Sequence, residues 1–149
     1  MSGLSLASAT FADGGPIPAR HSCDGADVSP PLAWSGVPVG TRALALIVDD
    51  PDARGFVHWV VFDLPAERAS LAEGASGGGS FGEGRNDFGR VGWGGPCPPS
   101  GTHRYVFELS ALDRTLGLTG APTAADVRRA MAGHVLESVR LTGTYRRGG

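Results

Sequence analysis

Apolar residues along this chain fall in short runs broken by glycine and proline, the pattern of short strands joined by turns. Leu44 to Val48 predicts a buried strand. Phe56 to Phe62 (FVHWVVF) predicts the strongest one, with Phe56, His58, Val60 and Phe62 on one face and Val57, Trp59 and Val61 on the other. Both faces are apolar, so this strand belongs inside a two-layer arrangement. His103 to Leu109 alternates instead, with His103, Tyr105, Phe107 and Leu109 pointing one way and Arg104, Val106 and Glu108 the other. Val139 to Tyr145 predicts a closing strand. One helix is expected from about Ala124 to Leu136, with Thr123 as N-cap, Asp126 favouring the first turn, and Val127, Ala130, Met131 and Val135 as its apolar stripe.

Gly74 to Gly95 carries neither period, and a stretch of that length inside a compact domain is expected to be functional or mobile. Its GGGSFG segment, Gly77 to Gly82, formally matches GxGxxG. No strand precedes it and no helix follows, which excludes a dinucleotide-binding reading. No internal repeat is present, and residues 1–149 are expected to form one domain.

Composition narrows the chemistry. Apolar residues make up 41% and charged residues 19%, as in ordinary globular proteins, and the net charge of −2 offers no broad basic field for nucleic acid. The chain has no lysine, so Schiff-base chemistry and a P-loop lysine are excluded. The N-terminal MSGLSLASATF lacks a basic n-region and a long apolar run, and no segment is apolar enough to span a membrane, so a cytoplasmic protein is expected. Cys23 and Cys97 lack CxxC spacing, and in a reducing cytosol they are expected as free thiols.

Two constellations carry candidate chemistry. In DDPDARGFVHW (Asp49 to Trp59) a strand ends at acidic residues, turns at Pro51 and returns holding His58. Asp50 and Asp52 read either as turn formers bonding their own backbone or as site carboxylates, and His58 either as a satisfied core histidine or as a ligand group. In GGPCPPSGTHRY (Gly94 to Tyr105) Pro96, Pro98 and Pro99 forbid a central strand and make a stiff bend, while the glycines allow close backbone approach. His103 and Tyr105 then share a strand face. If the two strands are neighbours, His58 and His103 converge with Asp50 and Asp52 at one sheet end. Imidazoles held by carboxylates, with a tyrosine hydroxyl, suit phosphate, sulfate or acetate. The same side chains could instead hold zinc or iron, or serve a hydrolase with His58 or His103 as general base; Cys97 with His103 is a further nucleophile–base pair. His21, His134 and Trp34 read as structural.

With both constellations in view, the chain resembles the phosphatidylethanolamine-binding protein family in its bacterial Raf-kinase-inhibitor-like branch. The matching pieces are IPARHSCDGADVSPPLAW, DDPDARGFVHWVVFDLP, GGPCPPSGTHRYVFELSALD and MAGHVLESVRLTGTY. The resemblance implies a mostly β fold of two antiparallel sheets, a Greek-key sandwich with one main helix near the C-terminus, and a small surface anion pocket. It implies pocket roles for Asp50, Asp52, His58, the rim Gly95, Pro96, Cys97, Pro98 and Pro99, and for His103 and Tyr105. It further implies non-catalytic binding of phosphate-like anions or phospholipid head groups, no cofactor or metal, and regulation through a protein partner in the manner of a kinase or protease inhibitor. A homodimer is a further expectation. Arg54 stands where the family usually has proline, and Cys97 where many eukaryotic relatives have glycine.

Overall fold

A computed structural model describes residues 3–147 of the chain. Eight strands and one helix follow in order: β1 (Ser5–Ala7), β2 (Leu32–Ser35), β3 (Ala43–Asp50), β4 (Phe56–Pro65), β5 (Ser70–Leu71), β6 (Gly82–Glu83), β7 (His103–Leu112), α1 (Ala124–Met131) and β8 (Val135–Tyr145). They build two antiparallel sheets, β1-β2-β5 and β6-β4-β3-β7-β8. Fold class is therefore as the resemblance implied.

The larger core lies between the sheets, where Leu6, Leu32, Trp34 and Leu71 of the small sheet meet Leu46, Trp59, Val61, Phe107 and Leu109 of the large one. Trp34 anchors there, with its indole N–H donating to the Arg68 carbonyl at 2.8 Å. A second core covers the other face of the large sheet, where Val127 and Ala124 of α1 pack on Ala45, Val57, Val60, Phe62 and Leu112. Apolar residues on both faces of β3 and β4 follow from this sandwiching by sheet and helix.

Two expectations need correction. The helix stops at Met131, five residues early, because Gly133 turns the chain with φ +82° and His134 then bonds Asp113 through both backbone and ring. Val135 and Leu136 accordingly begin β8 rather than extend the helical stripe. The helix start is as expected: Thr123 and Asp126 exchange bonds in a capping box.

The two-face reading of Phe56 to Phe62 also fails, for a physical reason. Val48 pairs with Trp59 and Asp49 with Val57, leaving His58 as an extra residue in the ladder. This bulge puts Val57 in the helix-side core with Val60 and Phe62. His58 instead joins the side of Trp59 and Tyr105.

Candidate functional site

Because β3 runs antiparallel to both β4 and β7, the end of β3 and the starts of its two neighbours meet at one edge of the sheet. Asp50, His58, His103 and Tyr105 sit there, around a cavity of about 210 Å³. Its wall is completed by Ala53, Phe56, Phe88, Cys97, Pro98 and Pro99.

Asp50 both forms the turn and serves the cavity. Held extended ahead of Pro51, its carboxylate is only 2% exposed. One oxygen accepts the Asp52 backbone N–H at 2.8 Å and the other accepts Nδ1–H of His103 at 2.6 Å. A carboxylate can only accept, so the His103 proton is fixed on Nδ1 and Nε2 is the ring nitrogen left free.

His58 is held in a different way. Its Nδ1–H donates to the Gly94 carbonyl at 2.6 Å, and its own carbonyl accepts the Gly94 N–H at 2.9 Å. At 3% exposure, burial pushes the imidazole below its ordinary pKa, so at neutral pH it is uncharged with Nε2 as an acceptor. Tyr105 packs edge-on against it at 5.1 Å between ring centres. Burial raises the Tyr105 pKa, so its hydroxyl keeps its proton.

Asp52 does not line the cavity. It turns outward, where Arg104 gives it a backbone N–H at 2.9 Å and guanidinium bonds at 2.8 and 3.1 Å. Those bonds hold its carboxyl down at about 2. The clasp ties the turn after β3 to the start of β7.

Gly95 and Pro96 also lie behind the wall. A side chain at Gly95 would strike the His21 carbonyl and the Asp27 carboxylate, and Gly95 N–H donates to that carboxylate at 2.8 Å. Pro96 accepts the Cys23 N–H at 3.1 Å. Cys97, Pro98 and Pro99 are the rim residues that reach the cavity.

Cys23 and Cys97 form a disulfide with Cα atoms 5.4 Å apart, correcting the expectation of free thiols. Judging the pair by compartment overlooked that Cys23 and Pro96 share a backbone bond, which sets the two cysteines face to face. The bridge also removes Cys97 as a nucleophile for His103. Among the described residues, no group of three or more His, Cys, Asp or Glu side chains is placed to hold a metal ion.

Phe56 and Phe88 were missed. Phe88 comes from the aperiodic glycine-rich stretch, where buried Asn86 shapes a tight turn. Its side-chain oxygen accepts the N–H groups of Phe88 and Arg90 at 3.0 and 3.1 Å, and its amide donates to the Gly92 carbonyl at 2.9 Å. Asp87 pins the turn to β4 by accepting the Val57 N–H at 2.8 Å. The Asn-Asp-x-Gly sequence was the available signal.

The two histidines outside the cavity are structural. His21 donates Nδ1–H to the Val28 carbonyl at 2.9 Å and meets the Thr10 hydroxyl with Nε2 at 3.1 Å. A broader groove of about 990 Å³ runs beside Pro16, Ile17, Thr144 and Tyr145, and its one acid, Asp24, is already bonded to the Tyr145 hydroxyl and near Arg147. No helix among the described residues is long and apolar enough to cross a membrane.

Comparison with known proteins places these features in a family. The family model for phosphatidylethanolamine-binding protein matches residues 7–146. The UPF0098 protein of Methanothermobacter thermautotrophicus is 47% identical, with 97% of this chain and 100% of that protein covered. LppC of Mycobacterium tuberculosis, which is named a lipoprotein, is 44% identical over 95% of this chain and 72% of its own length. Among solved structures, the phosphatidylethanolamine-binding protein homologue CT736 of Chlamydia trachomatis superposes with a TM-score of 0.93 at 38% identity, covering 99% of both chains. E. coli YbcL, described as a member of the mammalian family, gives a TM-score of 0.90 at 31% identity, covering 97% of this chain and 99% of its own.

Proposed function

We propose that this chain, which belongs to the phosphatidylethanolamine-binding protein family, binds the phosphoryl group of a small phosphorylated ligand or phospholipid head group in the cavity, without turning it over. The observation that carries this reading is the convergence of three polar groups on one small cavity. The Asp50-fixed imidazole of His103, the neutral imidazole of His58 and the hydroxyl of Tyr105 all line it. When protonated, His103 donates through Nε2 beside its paired carboxylate; Tyr105 donates; His58 accepts from a ligand O–H.

Size limits the ligand. Pockets that enclose drug-sized molecules run to roughly 300–1,000 Å³. At about 210 Å³ this cavity takes a head group, leaving acyl chains or a larger body outside. The stiff Cys97-Pro98-Pro99 edge supplies a preformed shape, which lowers the ordering cost of binding. A protein partner regulated in the manner of a kinase or protease by its inhibitor would meet the ligand's outer part at the same mouth.

The test is calorimetric titration of phosphate and O-phosphoethanolamine into the wild type and His103→Ala. Binding that falls at least about tenfold in the variant supports the pocket, as expected for loss of a charge-assisted donor. Equal affinity in the two proteins rejects it. A hydrolase reading rests on the 2.6 Å Asp50–His103 dyad, which could orient a general base. Among the described residues no serine, threonine or free thiol lines the cavity beside it, and release of nitrophenol from p-nitrophenyl phosphate would establish that reading instead.

The bridge bears on location. The expected cytoplasmic setting is compatible with it only where the cytosol does not reduce Cys23–Cys97.

A further inference from the structure

The cavity's own side chains cannot supply net positive charge. His58 is uncharged and Tyr105 stays protonated, leaving Asp50 and His103. With His103 neutral the interior carries −1, and with His103 protonated it carries zero. A phosphoryl dianion therefore needs its countercharge from outside these four residues.

One cation, on the exposed residue Arg90, stands beside the wall. The guanidinium of Arg90 lies over the ring of Phe88 at 5.4 Å from its centre. Phe88 lines the cavity and packs edge-on against Phe56 and His58 at 4.8 and 5.4 Å. Arg90 also reaches Gly94, whose carbonyl orients His58, closely enough that a Cβ there would lie 3.2 Å from its terminal nitrogen. Its backbone N–H is held by the Asn86 side chain, which fixes the turn from which it projects. Among the described residues Arg90 has no carboxylate partner, whereas Arg104, at the same end of the sheet, is taken up by Asp52. Arg54, beyond Ala53, is exposed and likewise unpaired among the described residues, and nothing fixes its guanidinium.

We infer that Arg90 is a specificity-determining residue of this cavity: it supplies the positive charge at the mouth and makes the site favour dianionic phosphoryl groups over monoanions of similar size. Phe88, itself 41% exposed, lies beneath the guanidinium and keeps that side of the mouth apolar. The inference rests on the phosphoryl-binding reading above and names the residue that sets its charge preference.

Coulomb energy scales with ligand charge, so a charge loss that weakens a monoanion by some factor weakens a dianion by about its square. Titrations with inorganic phosphate at pH 8 and with acetate therefore read the inference directly. In Arg90→Gln we expect phosphate affinity to fall about tenfold and acetate affinity about threefold. Arg90→Lys keeps the charge and is expected to stay within about threefold of wild type for phosphate. Raising salt is expected to weaken wild-type phosphate binding more than that of Arg90→Gln.

Equal phosphate affinity in wild type and Arg90→Gln would overturn the assignment, as would the same loss in the Lys and Gln variants, which would mark a packing role. A large loss in Arg54→Gln with none in Arg90→Gln would move the charge to Arg54. Failure of the underlying reading looks different: there the wild type binds neither anion, or His103→Ala binds both as well as wild type does.

Discussion

Reducing the Cys23–Cys97 bridge is expected to cost a large part of the protein's stability while leaving its fold recognisable. The two cysteines are 74 residues apart in sequence. In the chain-entropy description, opening a loop of that length restores about 15 cal/mol/K to the unfolded chain, or about 4.5 kcal/mol at 25 °C. Folded domains have only about 5–15 kcal/mol in all. The native side changes less, because the same segments stay joined by Cys23 N–H to Pro96, Gly95 N–H to Asp27, and the Trp93 indole N–H to His21. With a urea slope of about 2 kcal/mol/M, the midpoint should fall by about 2 M. The assay is equilibrium urea unfolding of oxidised and fully reduced protein, followed by tryptophan fluorescence. Trp93 reports well, since it bonds beside the bridge and packs on Trp59 at 5.5 Å. Thiol titration of unfolded, unreduced protein should give no free thiol. Two free thiols in that titration, or midpoints within about 0.3 M of each other, would refute the reasoning.

Other outcomes follow from the same contacts. Burial holds both His21 and His58 below their ordinary pKa. Above about pH 6.5 these rings are neutral in folded and unfolded chains alike, and below it the unfolded chain takes up protons first. Stability should therefore be level above pH 6.5 and fall as pH drops toward 5, and a midpoint unchanged between pH 7 and 5 would contradict this. Asp52 behaves oppositely in range: its pairing with Arg104 is intact above about pH 4 and fades below it, so Asp52→Asn should lower the melting temperature slightly at neutral pH and by less as pH falls toward 2, and a loss that does not shrink with pH would contradict this. Gly95→Ala is expected to destabilise by about 1–3 kcal/mol, because its methyl group meets the His21 carbonyl and the Asp27 carboxylate, and a melting curve matching wild type would refute the clash.

What the sequence made legible was set by length and period. The long strands of the large sheet declared themselves because each has an apolar run or a clean alternation, and their predicted starts at Phe56 and His103 are the observed ones. The small sheet did not, since its strands have two to four residues and no period can be read over so few. The helix was drawn too long although Gly133 was visible as a stop, because Val135 continued the stripe by accident of spacing. Of the residues expected at the site, Asp50, His103 and Tyr105 reach the cavity because turn and strand fix their direction locally, whereas His58 reaches it through a bulge that the strand period does not show. Phe88 is placed by the turn that Asn86 sets locally and the outward turn of Asp52 by a contact with distant Arg104, and neither has a periodic trace.

The bulge at His58 separates what the sheet needs from what the cavity needs. Delete that one residue on paper and Val57 and Trp59 become consecutive, already opposite Asp49 and Val48, with each still in its own core. A regular strand is thus complete without the histidine. His58 is an insertion into a finished scaffold, and a chain lacking it should keep the architecture with an unbroken ladder and His103 as the cavity's one imidazole. A designed version of this sandwich could gain or lose the His58 imidazole through a single-codon change in length, with the cores left untouched.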